Sequence, residues 1–596
     1  MNYKLIIIFL VSALAGASGY KSKTQQHKPN EAQQIAEWIR THEPNPRVTC
    51  PNIANREFWS KNPLKTKKAK PPTAETTKTS GGASLANLVM QGTEQELAYN
   101  TGEWLPTIER ALSKVETAPW GANETIDVRT SETGAKIAWC INVLKPKLNP
   151  EIYQRMVTTL RKKMIGPYLK SHQGIQNRNG KIIWGSDMCS WIDKNDKWGV
   201  SCSANIVFMA LAVEPSVEIR TATILTAKEI IGEFTELMEY DGYTHHGPRY
   251  WNYTVPHFLA LDHIVNRATG GNINLAQDER VRKLVESKKE MIVLKKEDTE
   301  YGLLFGDTDS PNREQTWADT LAHLKFGTPA PKDPVNHDAT FQIGIDIMTV
   351  VAKNVKPGEG ITPPKKSGWL PSLGTLVSRQ PHNDIVFAIT GGRNGYELDH
   401  NDIGSYTLFQ DGEPVLGDFG VPEYRDNFWA GQRYTFPFLG SYGHPVPVVN
   451  NYLQTAHPLA MGIVKRVQIS EHGDTVVYDL KHAYKTPGLK SLTRSVYVEK
   501  GKSTFIEITD EFEADFPIDF EIPVTHFIGE QNNDVINLPG FQVQLTSNHP
   551  IRVKTESFWH GTELVRRTDM RLKSPQKSGA LITTIRSAAI IQNRGD

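Results

Sequence analysis

Three residues in the C-terminal third of the chain carry side chains that bind metal ions. His400 stands just before an alternating, strand-like segment, Asp418 closes the next such segment after an Asp-Gly turn, and His444 lies in a short turn before an apolar run. Neighbouring strand ends can bring such side chains together. Two imidazoles and one carboxylate form a nitrogen and oxygen set suited to Zn²⁺. Because His and Asp at strand ends also cap local turns, the spacing alone leaves both interpretations open.

A second group of reactive side chains lies in residues 241–253. This short segment contains two His, one Arg, three Tyr and one Trp, and it is punctuated by Gly242 and by Gly247-Pro248. Its reactive members are His245, His246, Arg249, Tyr250 and Tyr253. Such side chains transfer protons, bind carboxylates and stack on sugar rings. The alternative interpretation is a loop between helices whose aromatic side chains fill the core.

Two kinds of secondary structure must position these residues. From about residue 85 to residue 355, apolar side chains recur at helical spacing in one segment after another. The predicted helices are 94–115 (interrupted near Gly102 and Pro106), 131–144, 150–163, 203–213, 217–240, 251–265, 278–291 and 341–352. After residue 373 the period changes to two, and 492–499 with 504–509 form a predicted antiparallel hairpin. The pattern predicts a multidomain α + β protein in which an antiparallel β-sandwich follows paired helices.

The predicted domain organisation has five parts. Residues 1–19, with a basic start, an apolar run and small residues, are predicted to be a secretory signal peptide. A polar N-terminal segment and linker covers 20–84, and the helical domain covers 85–355. A linker rich in Gly, Pro and Lys covers 356–372, and the β domain covers 373–596. We therefore expect a secreted or periplasmic protein.

Composition limits the classes of function. The chain of 596 residues has 67 Lys+Arg against 66 Asp+Glu, whereas a nucleic-acid binder usually shows a basic excess. After the N-terminal run, no segment approaches the roughly 20 apolar residues that a transmembrane helix needs. We expect neither a nucleic-acid partner nor a membrane span in the mature protein.

The run from His400 to Asn450 resembles the C-terminal β domain of the heparinase II/III-like polysaccharide lyases. The likeness rests on a histidine motif ahead of a strand, the Asp418-Phe419-Gly420 segment after the next strand, and the later Ser-Tyr-Gly-His-Pro-Val-Pro-Val run. It covers about residues 190–515. It implies that the helices form an incomplete (α/α) toroid. It also implies that His400, Asp418 and His444 bind a structural zinc ion.

The same resemblance implies roles for the segment 241–253. Tyr250 and Tyr253 match the family's Y-W-x-Y positions, where one Tyr acts as the acid and, in some members, also as the base; of the two, Tyr250 is slightly favoured. His246 stands where the family has a Glu or His, with His245 beside it, and Arg249 is placed to bind a substrate carboxylate. A Tyr that acts as the base needs a depressed pKa, which a neighbouring cation would provide.

The chain departs from the family pattern at two places. The first His of the family motif, which acts in catalysis, is Leu398 here, and leucine cannot exchange a proton. Glu397 stands beside it. In the segment 197–204, Trp198 and Cys202 agree with the family, but its Asn positions read Lys, Gly and Ser. Asn205 is either a substitute or the cap of a helix.

The resemblance implies a polysaccharide lyase, a carbon-oxygen lyase that cleaves an acidic, uronic-acid-containing polysaccharide or oligosaccharide by β-elimination. Because the net charge is close to zero, a highly sulfated polymer is not favoured over a less charged one. One alternative is a glycoside hydrolase on the same scaffold, in which Asp241 pairs with Asp307, Asp309 or Glu397. Another is a glycan-binding protein without activity.

The cysteines leave a structural question open. Cys189 and Cys202 flank a loop with two Trp residues and are close enough in sequence to form a disulfide bond, which an exported location permits. Two buried thiols are the alternative.

Overall fold

The computed structural model describes residues 31–41, 68–72, 81–120, 126–173, 175–176, 182–183, 189, 197–243, 247–308, 310–314, 316–334, 355–395, 399–422 and 433–588. The contacts within the chain divide it into two compact units. The first comprises Met1–Met238, Tyr253–Arg282 and Gln315–Ile361. The second comprises Glu239–Asn252, Lys283–Glu314 and Thr362–Asp596.

Helices account for most of the described residues before residue 330. Their bounds are α1 Glu31–Thr41, α2 Gly82–Tyr99, α3 Leu105–Val115, α4 Val128–Leu144, α5 Pro150–Leu160, α6 Gly166–Gln173, α7 Lys197–Val213, α8 Val217–Glu236, α9 Gly247–Ala268, α10 Glu279–Glu286, α11 Lys288–Met291 and α12 Thr316–Phe326. A π-helical turn, Arg161–Ile165, joins α5 to α6. None of the described helices combines the length and the apolarity needed to cross a membrane.

The helices of the first unit form an inner and an outer layer. α2, α4 and α7 lie side by side although other helices separate them along the chain, and α3 and α8 pack against α2 and α7. α4 is buried on nearly all sides, whereas α3 buries one stripe of apolar residues. A helix that is buried all round belongs to the interior, and a one-sided helix belongs to the surface layer. This alternation is that of an (α/α) toroid.

The second unit contains two large antiparallel sheets. The strands of the first large sheet are β6 Gly368–Leu370, β7 Thr375–Arg379, β8 Ile385–Thr390, β9 Tyr406–Gln410, β10 Glu413–Gly417, β11 Val448–Val449, β16 Phe520–His526, β20 Ile551–His560 and β21 Glu563–Leu572. Those of the second are β12 Ile463–Ile469, β13 Gly473–Asp479, β14 Leu489–Glu499, β15 Phe505–Ile518, β17 Glu530–Asn532, β18 Val535–Leu538, β19 Phe541–Ser547 and β22 Gln576–Ser587.

Both large sheets contribute to one apolar core. The first has the order β20-β21-β16-β10-β9-β8-β7-β6, with β11 paired to β16, and the second has the order β12-β13-β14-β15-β22-β19-β18-β17. Phe387 and Leu408 of the first sheet and Val496 and Ile508 of the second belong to the same buried cluster. Alternating residues of facing sheets pack in this way in a β-sandwich. The predicted α + β class is confirmed.

Several elements differ from the sequence-based expectation. Three short strands, β3 Ile292–Lys296, β4 Thr299–Gly302 and β5 Asn312–Arg313, form a small sheet within the region predicted to be helical. β6 lies inside the predicted linker. A two-residue pair, β1 Ile175–Gln176 with β2 Ile182–Ile183, was also not predicted. The predicted helix 341–352 lies outside the described residues.

Candidate functional site

The β9–β10 hairpin places two of the predicted metal ligands together. Asp411 and Gly412 both have positive φ angles, 55° and 90°, as a tight hairpin turn requires. The register pairs Gly417 with Thr407, and the next residue, Asp418, donates its backbone N–H to the carbonyl of Tyr406 over 2.8 Å. Asp418 therefore lies beside the segment that enters β9, which is the segment that carries His400.

His400, Asp418 and His444 form a buried cluster. One nitrogen of each imidazole and one oxygen of the carboxylate lie within 4.8 Å of one another. His444 Nδ1 is 2.9 Å from Asp418 Oδ2, and the two imidazole ring centroids are 5.1 Å apart. Each of the three side chains is at most 1% exposed. The structure thus brings together the three residues that the sequence singled out as metal ligands.

Asp418 is fixed by its neighbours. Ser405 donates its hydroxyl to Oδ2 over 2.8 Å, and the backbone N–H of Gly420 donates to Oδ1 over 3.0 Å. Burial would raise the pKa of Asp418, but the charges of His444 and His400 and the hydrogen bond from His444 lower it to about 2. The carboxylate is therefore ionised and held in one orientation.

A further carboxylate completes the cluster. Asp307 Oδ1 lies 3.1 Å from His400 Nε2 and accepts a hydrogen bond from Arg433 Nη2 over 2.6 Å. Burial would raise the pKa of Asp307, but His400 and Arg433 lower it to about 2. The sequence singled out Asp307 only as one member of a carboxylate pair. A carboxylate that fixes the ring of a histidine is a common partner of metal ligands.

Some buried polar atoms of the cluster have no hydrogen-bond partner among the described residues. They include His400 Nδ1 and Asp307 Oδ2. Buried polar atoms in proteins are nearly always satisfied, so each such atom calls for an unseen partner. Tetrahedral zinc ligands stand about 3.4 Å apart, given bonds of about 2.1 Å. The donor set and its spacing fit a zinc ion after small movements.

A second site lies in the helical unit. Asp127 and Thr130 form a capping box at the start of α4, with Asp127 accepting from Thr130 N–H over 2.7 Å. This cap orients the first turns of α4, which carry Ser131 and Glu132. Tyr253, near the start of α9, donates its hydroxyl to Glu132 Oε1 over 3.1 Å. The sequence did not identify Glu132.

The surroundings of Glu132 and Tyr253 favour the protonated, neutral form of each side chain. Burial raises the pKa of Glu132, against the opposing effect of the hydrogen bond from Tyr253. Burial and the charge of Glu132 raise the pKa of Tyr253 well above its ordinary range. The sequence predicted a depressed pKa for a Tyr that acts as a base. The shift observed at Tyr253 has the opposite sign and suits a proton donor.

Residues around the pair are also tied to one another. Asn205 Nδ2 donates to Ser131 Oγ over 3.1 Å, and Asn205 is buried. α7 begins at Lys197, so Asn205 lies in the interior of the helix and the interpretation as a helix cap is wrong.

Trp198 lies half-buried in the first turn of α7. His257 stacks obliquely on Tyr253 with ring centroids 4.9 Å apart, and burial lowers its pKa to about 4.

Comparison with solved structures shows the same architecture elsewhere. Heparinase III matches with a TM-score of 0.62 and 12% identity, over 98% of this chain and 89% of that chain. A heparan sulfate lyase mutant from Pedobacter heparinus matches with a TM-score of 0.56 and 12% identity, over 98% and 88%. A Streptomyces coelicolor A3 chondroitin AC lyase in complex with chondroitin sulphate matches at 0.50 and 10%, over 99% and 84%.

This chain has the heparinase III fold. The resemblance inferred from the sequence motifs is thereby confirmed at the level of the fold, including the (α/α) toroid. No protein-family model and no curated protein sequence matches the chain.

Several residues for which the sequence predicted a functional role lie outside the described part of the chain. They are His245, His246, Asp309, Glu397 and Leu398. Arg249 and Tyr250 belong to α9 by their backbone, and their side chains are outside the described part. The roles predicted for these residues remain predictions.

The carboxylate of Asp241 accepts hydrogen bonds from the backbone. Oδ2 accepts from the N–H of Ser372 over 2.9 Å, and Oδ1 accepts from the N–H of Tyr243 over 3.3 Å. These contacts give Asp241 a structural role, because it fixes one neighbouring and one distant segment of the backbone.

The cysteine question is also answered. Cys189 and Cys202 are buried thiols and do not form a disulfide bond with each other.

Proposed function

We propose that the protein is a polysaccharide lyase that cleaves a uronic-acid-containing glycan by β-elimination. The observation that carries the proposal is the Tyr253–Glu132 pair within the heparinase III fold, which extends over 98% of the chain. The solved structures that share this fold include heparan sulfate and chondroitin lyases. Those polymers contain uronic acid, and the proposal carries their substrate class over to this chain.

The proposed reaction needs an acid and a base. A base removes the C5 proton of the uronic acid, the electron pair forms the C4–C5 double bond, and the C4–O4 bond breaks as an acid delivers a proton to O4. Tyr253 is the proposed acid, because its raised pKa keeps the proton on the hydroxyl until the oxygen of the leaving group takes it. His245 or His246 is the proposed base, and Tyr250 is the second candidate for the acid.

Negative charge develops beside the uronate carboxylate during proton removal, so that carboxylate must be neutralised. Arg249, His245 and Asn205 are the proposed candidates. Asn205 is the weakest of the three since it is buried and one of its two amide N–H groups already donates to Ser131. Trp198 in the first turn of α7 is proposed to stack on a sugar ring, and Glu397 is proposed to contact the substrate.

We also propose that His400, Asp418 and His444 hold a structural Zn²⁺. Support comes from the donor set, the ionised state of Asp418 and the buried Nδ1 of His400, which has no partner among the described residues. When bound, the ion would crosslink the loop before β9, the end of β10 and the turn at His444. Asp307 would keep the ring of His400 in place.

The substrate proposed is a uronate polymer or oligosaccharide of modest charge, because the chain has a net charge of only +1. Residues 1–19 are proposed to act as a signal peptide, so that the enzyme meets this substrate outside the cytoplasm as a secreted or periplasmic protein. N-terminal sequencing of the exported protein checks the export, with cleavage expected near residue 19.

The test is to incubate the purified protein with a panel of uronic-acid polysaccharides of graded sulfation. Ultraviolet absorbance of the product and the number of new reducing ends are followed in parallel. A lyase raises both, because elimination leaves a conjugated double bond. A hydrolase raises reducing ends alone, and a binding protein raises neither. Either of these last two results on every polymer that the protein binds would overturn the proposal.

A further inference from the structure

A single buried arginine contacts both loops that carry the histidine ligands. Arg494 lies on β14, and its Nη1 donates to the carbonyl of Gly404 over 2.6 Å and to the carbonyl of Pro445 over 2.7 Å. Gly404 belongs to the loop that carries His400, and Pro445 directly follows His444. One guanidinium nitrogen thus connects two segments that are about forty residues apart.

Arg494 is itself held firmly in the sheet. In the β14–β15 register it stands directly opposite Asp510, and it donates from Nε and Nη2 to the two carboxylate oxygens over 2.8 and 2.9 Å. Both side chains are at most 1% exposed. A two-pronged contact between guanidinium and carboxylate fixes the direction of the side chain as well as its position. Nη1 is therefore presented to the two loops from a rigid base.

Gln454 forms a second link between the same loops. Its Nε2 donates to the carbonyl of Ile403 over 2.7 Å, and its Oε1 accepts from the N–H of Ile403 over 3.0 Å. Its own backbone N–H donates to Ser441 Oγ over 2.9 Å. Arg494 and Gln454 thus hold the loop of His400 against the turn of His444 by separate hydrogen bonds.

The presence of a buried ion pair at this place calls for a reason other than stability. Replacing a buried pair by apolar residues is often neutral or stabilising, because the desolvation of both charges offsets their attraction. An apolar side chain could fill the space but could not bind two carbonyl oxygens from two loops. Arg494 contacts backbone atoms next to the ligands, and its effect on the ligands passes through the backbone.

We propose that Arg494 is a positioning residue that sets the spacing of His400 and His444 for the metal ion. The inference rests on the proposed zinc site. Removing the two carbonyl contacts frees the loops to separate, so the ligands must be ordered again when the ion binds. Changes to residues that orient metal ligands typically weaken metal binding by about 10-fold to 100-fold. We expect a loss of that size.

The test measures Zn²⁺ affinity of metal-stripped full-length protein by competition with a chromophoric chelator. The variants are Arg494→Lys, Arg494→Met and Gln454→Leu. Lysine keeps the positive charge but cannot reach Asp510 and both carbonyls at once. Lys500→Met is the matched control, because Lys500 is also a largely buried cation, 10% exposed, that contacts an aspartate, Asp474, over 2.7 Å and a backbone carbonyl over 2.8 Å.

Arg494→Lys and Gln454→Leu are expected to bind Zn²⁺ at least about tenfold more weakly than the wild type, and Lys500→Met to bind it as the wild type does. The visible absorption of bound Co²⁺ is expected to change for the Arg494 variants and for Gln454→Leu but not for Lys500→Met, since it reports the arrangement of the ligands. If both Arg494 variants fail to fold, Gln454→Leu still tests whether a link between the two loops sets the affinity for Zn²⁺.

Two negative outcomes differ in meaning. If the wild type binds no Zn²⁺, and His444→Ala behaves identically, the zinc site and the positioning role both fall. If the wild type binds Zn²⁺ and the Arg494 and Gln454 variants match Lys500→Met in affinity and Co²⁺ spectrum, the positioning role alone is overturned.

Discussion

The hydroxyl of Tyr253 donates a hydrogen bond to Glu132 over 3.1 Å and so joins the start of α9 to the first turn of α4. The two residues are 121 positions apart in the sequence. Burial raises the pKa of both, and the charge of Glu132 raises that of Tyr253 further. A Tyr in this setting keeps its proton at neutral pH, and to act as the acid its hydroxyl must turn from Glu132 to the departing sugar oxygen.

Tyr253→Phe is expected to lower kcat by about 10²-fold to 10⁴-fold on whichever polymer the wild type cleaves, the usual contribution of general acid catalysis. The measurement is the rate of appearance of the unsaturated product. Tyr478→Phe is the control, because Tyr478 is also buried and donates its hydroxyl to a carbonyl, that of Gly374, over 2.7 Å, but in the β-sandwich. Equal rates for the two variants would remove Tyr253 from the mechanism.

Glu132→Gln is expected to change the acidic limb of the pH profile. Burial raises the pKa of Glu132 above the usual 4.5, so the carboxylate takes up a proton at a higher pH than usual. Once protonated, it no longer accepts the hydrogen bond of Tyr253 as an anion. If the base must also lose its proton, log kcat/KM of the wild type approaches a slope of two at low pH. The glutamine of the variant does not ionise, so only the base titrates and log kcat/KM should show a slope of one at low pH.

Glu94→Gln is the matched control for this profile. Burial also raises the pKa of Glu94, and it lies on α2. Its profile should keep the slope of the wild type. The same slope in all three proteins would show that the charge of Glu132 plays no part in turnover.

The buried thiols are expected to be unreactive. Burial raises the pKa of Cys140 and of Cys189 to about 12, so at pH 8 only about one thiol in ten thousand is ionised and able to react. Alkylation followed by peptide mass spectrometry should find both residues unmodified in the native protein and modified after denaturation. A reductant should leave the melting temperature unchanged. A peptide linking Cys189 to Cys202 under non-reducing conditions would contradict the structure.

Local patterns predicted much of the cluster formed by His400, Asp418 and His444. The Asp411-Gly412 turn indicates a hairpin, and the hairpin register brings Asp418 beside the segment of His400. His444 was a candidate from its residue type, and only its resemblance to a family motif joined it to the other two, because no local pattern says which strand ends meet. The break of a long helical period near Gly102 and Pro106 was also predictable, and α2 and α3 end and begin on either side of it.

The partners of the catalytic candidates were not predictable. Helical periodicity says which face of a helix is buried but not which helix it meets, so Glu132 gave no signal. α7 begins at Lys197, six residues before the predicted start at residue 203, and this error turned Asn205 into an apparent cap. β3 and β4 were missed because they are only five and four residues long and lie within a region of helical periodicity.

Removal of the metal ion is expected to weaken the β-sandwich without stopping the reaction. An ion that binds only the folded protein adds about 4 kcal/mol when its free concentration is a thousand times its Kd. A chelator should therefore lower the melting temperature of the wild type, and added Zn²⁺ should restore it. Below that melting temperature, turnover of the chelated protein should stay close to that of the wild type, because the proposed ion crosslinks loops and takes no part in proton transfer.

Two variants distinguish the loss of a proposed metal ligand from the loss of any other buried histidine. His444→Ala removes a proposed ligand, so its melting temperature should start lower and should not respond to the chelator. His526→Ala removes another fully buried histidine of the β-sandwich, which hydrogen-bonds to Thr568 at 3.2 Å. That variant should lose stability yet keep the response to the chelator and about one Zn²⁺ per chain. A chelator response in His444→Ala as large as that of the wild type would place the ion elsewhere.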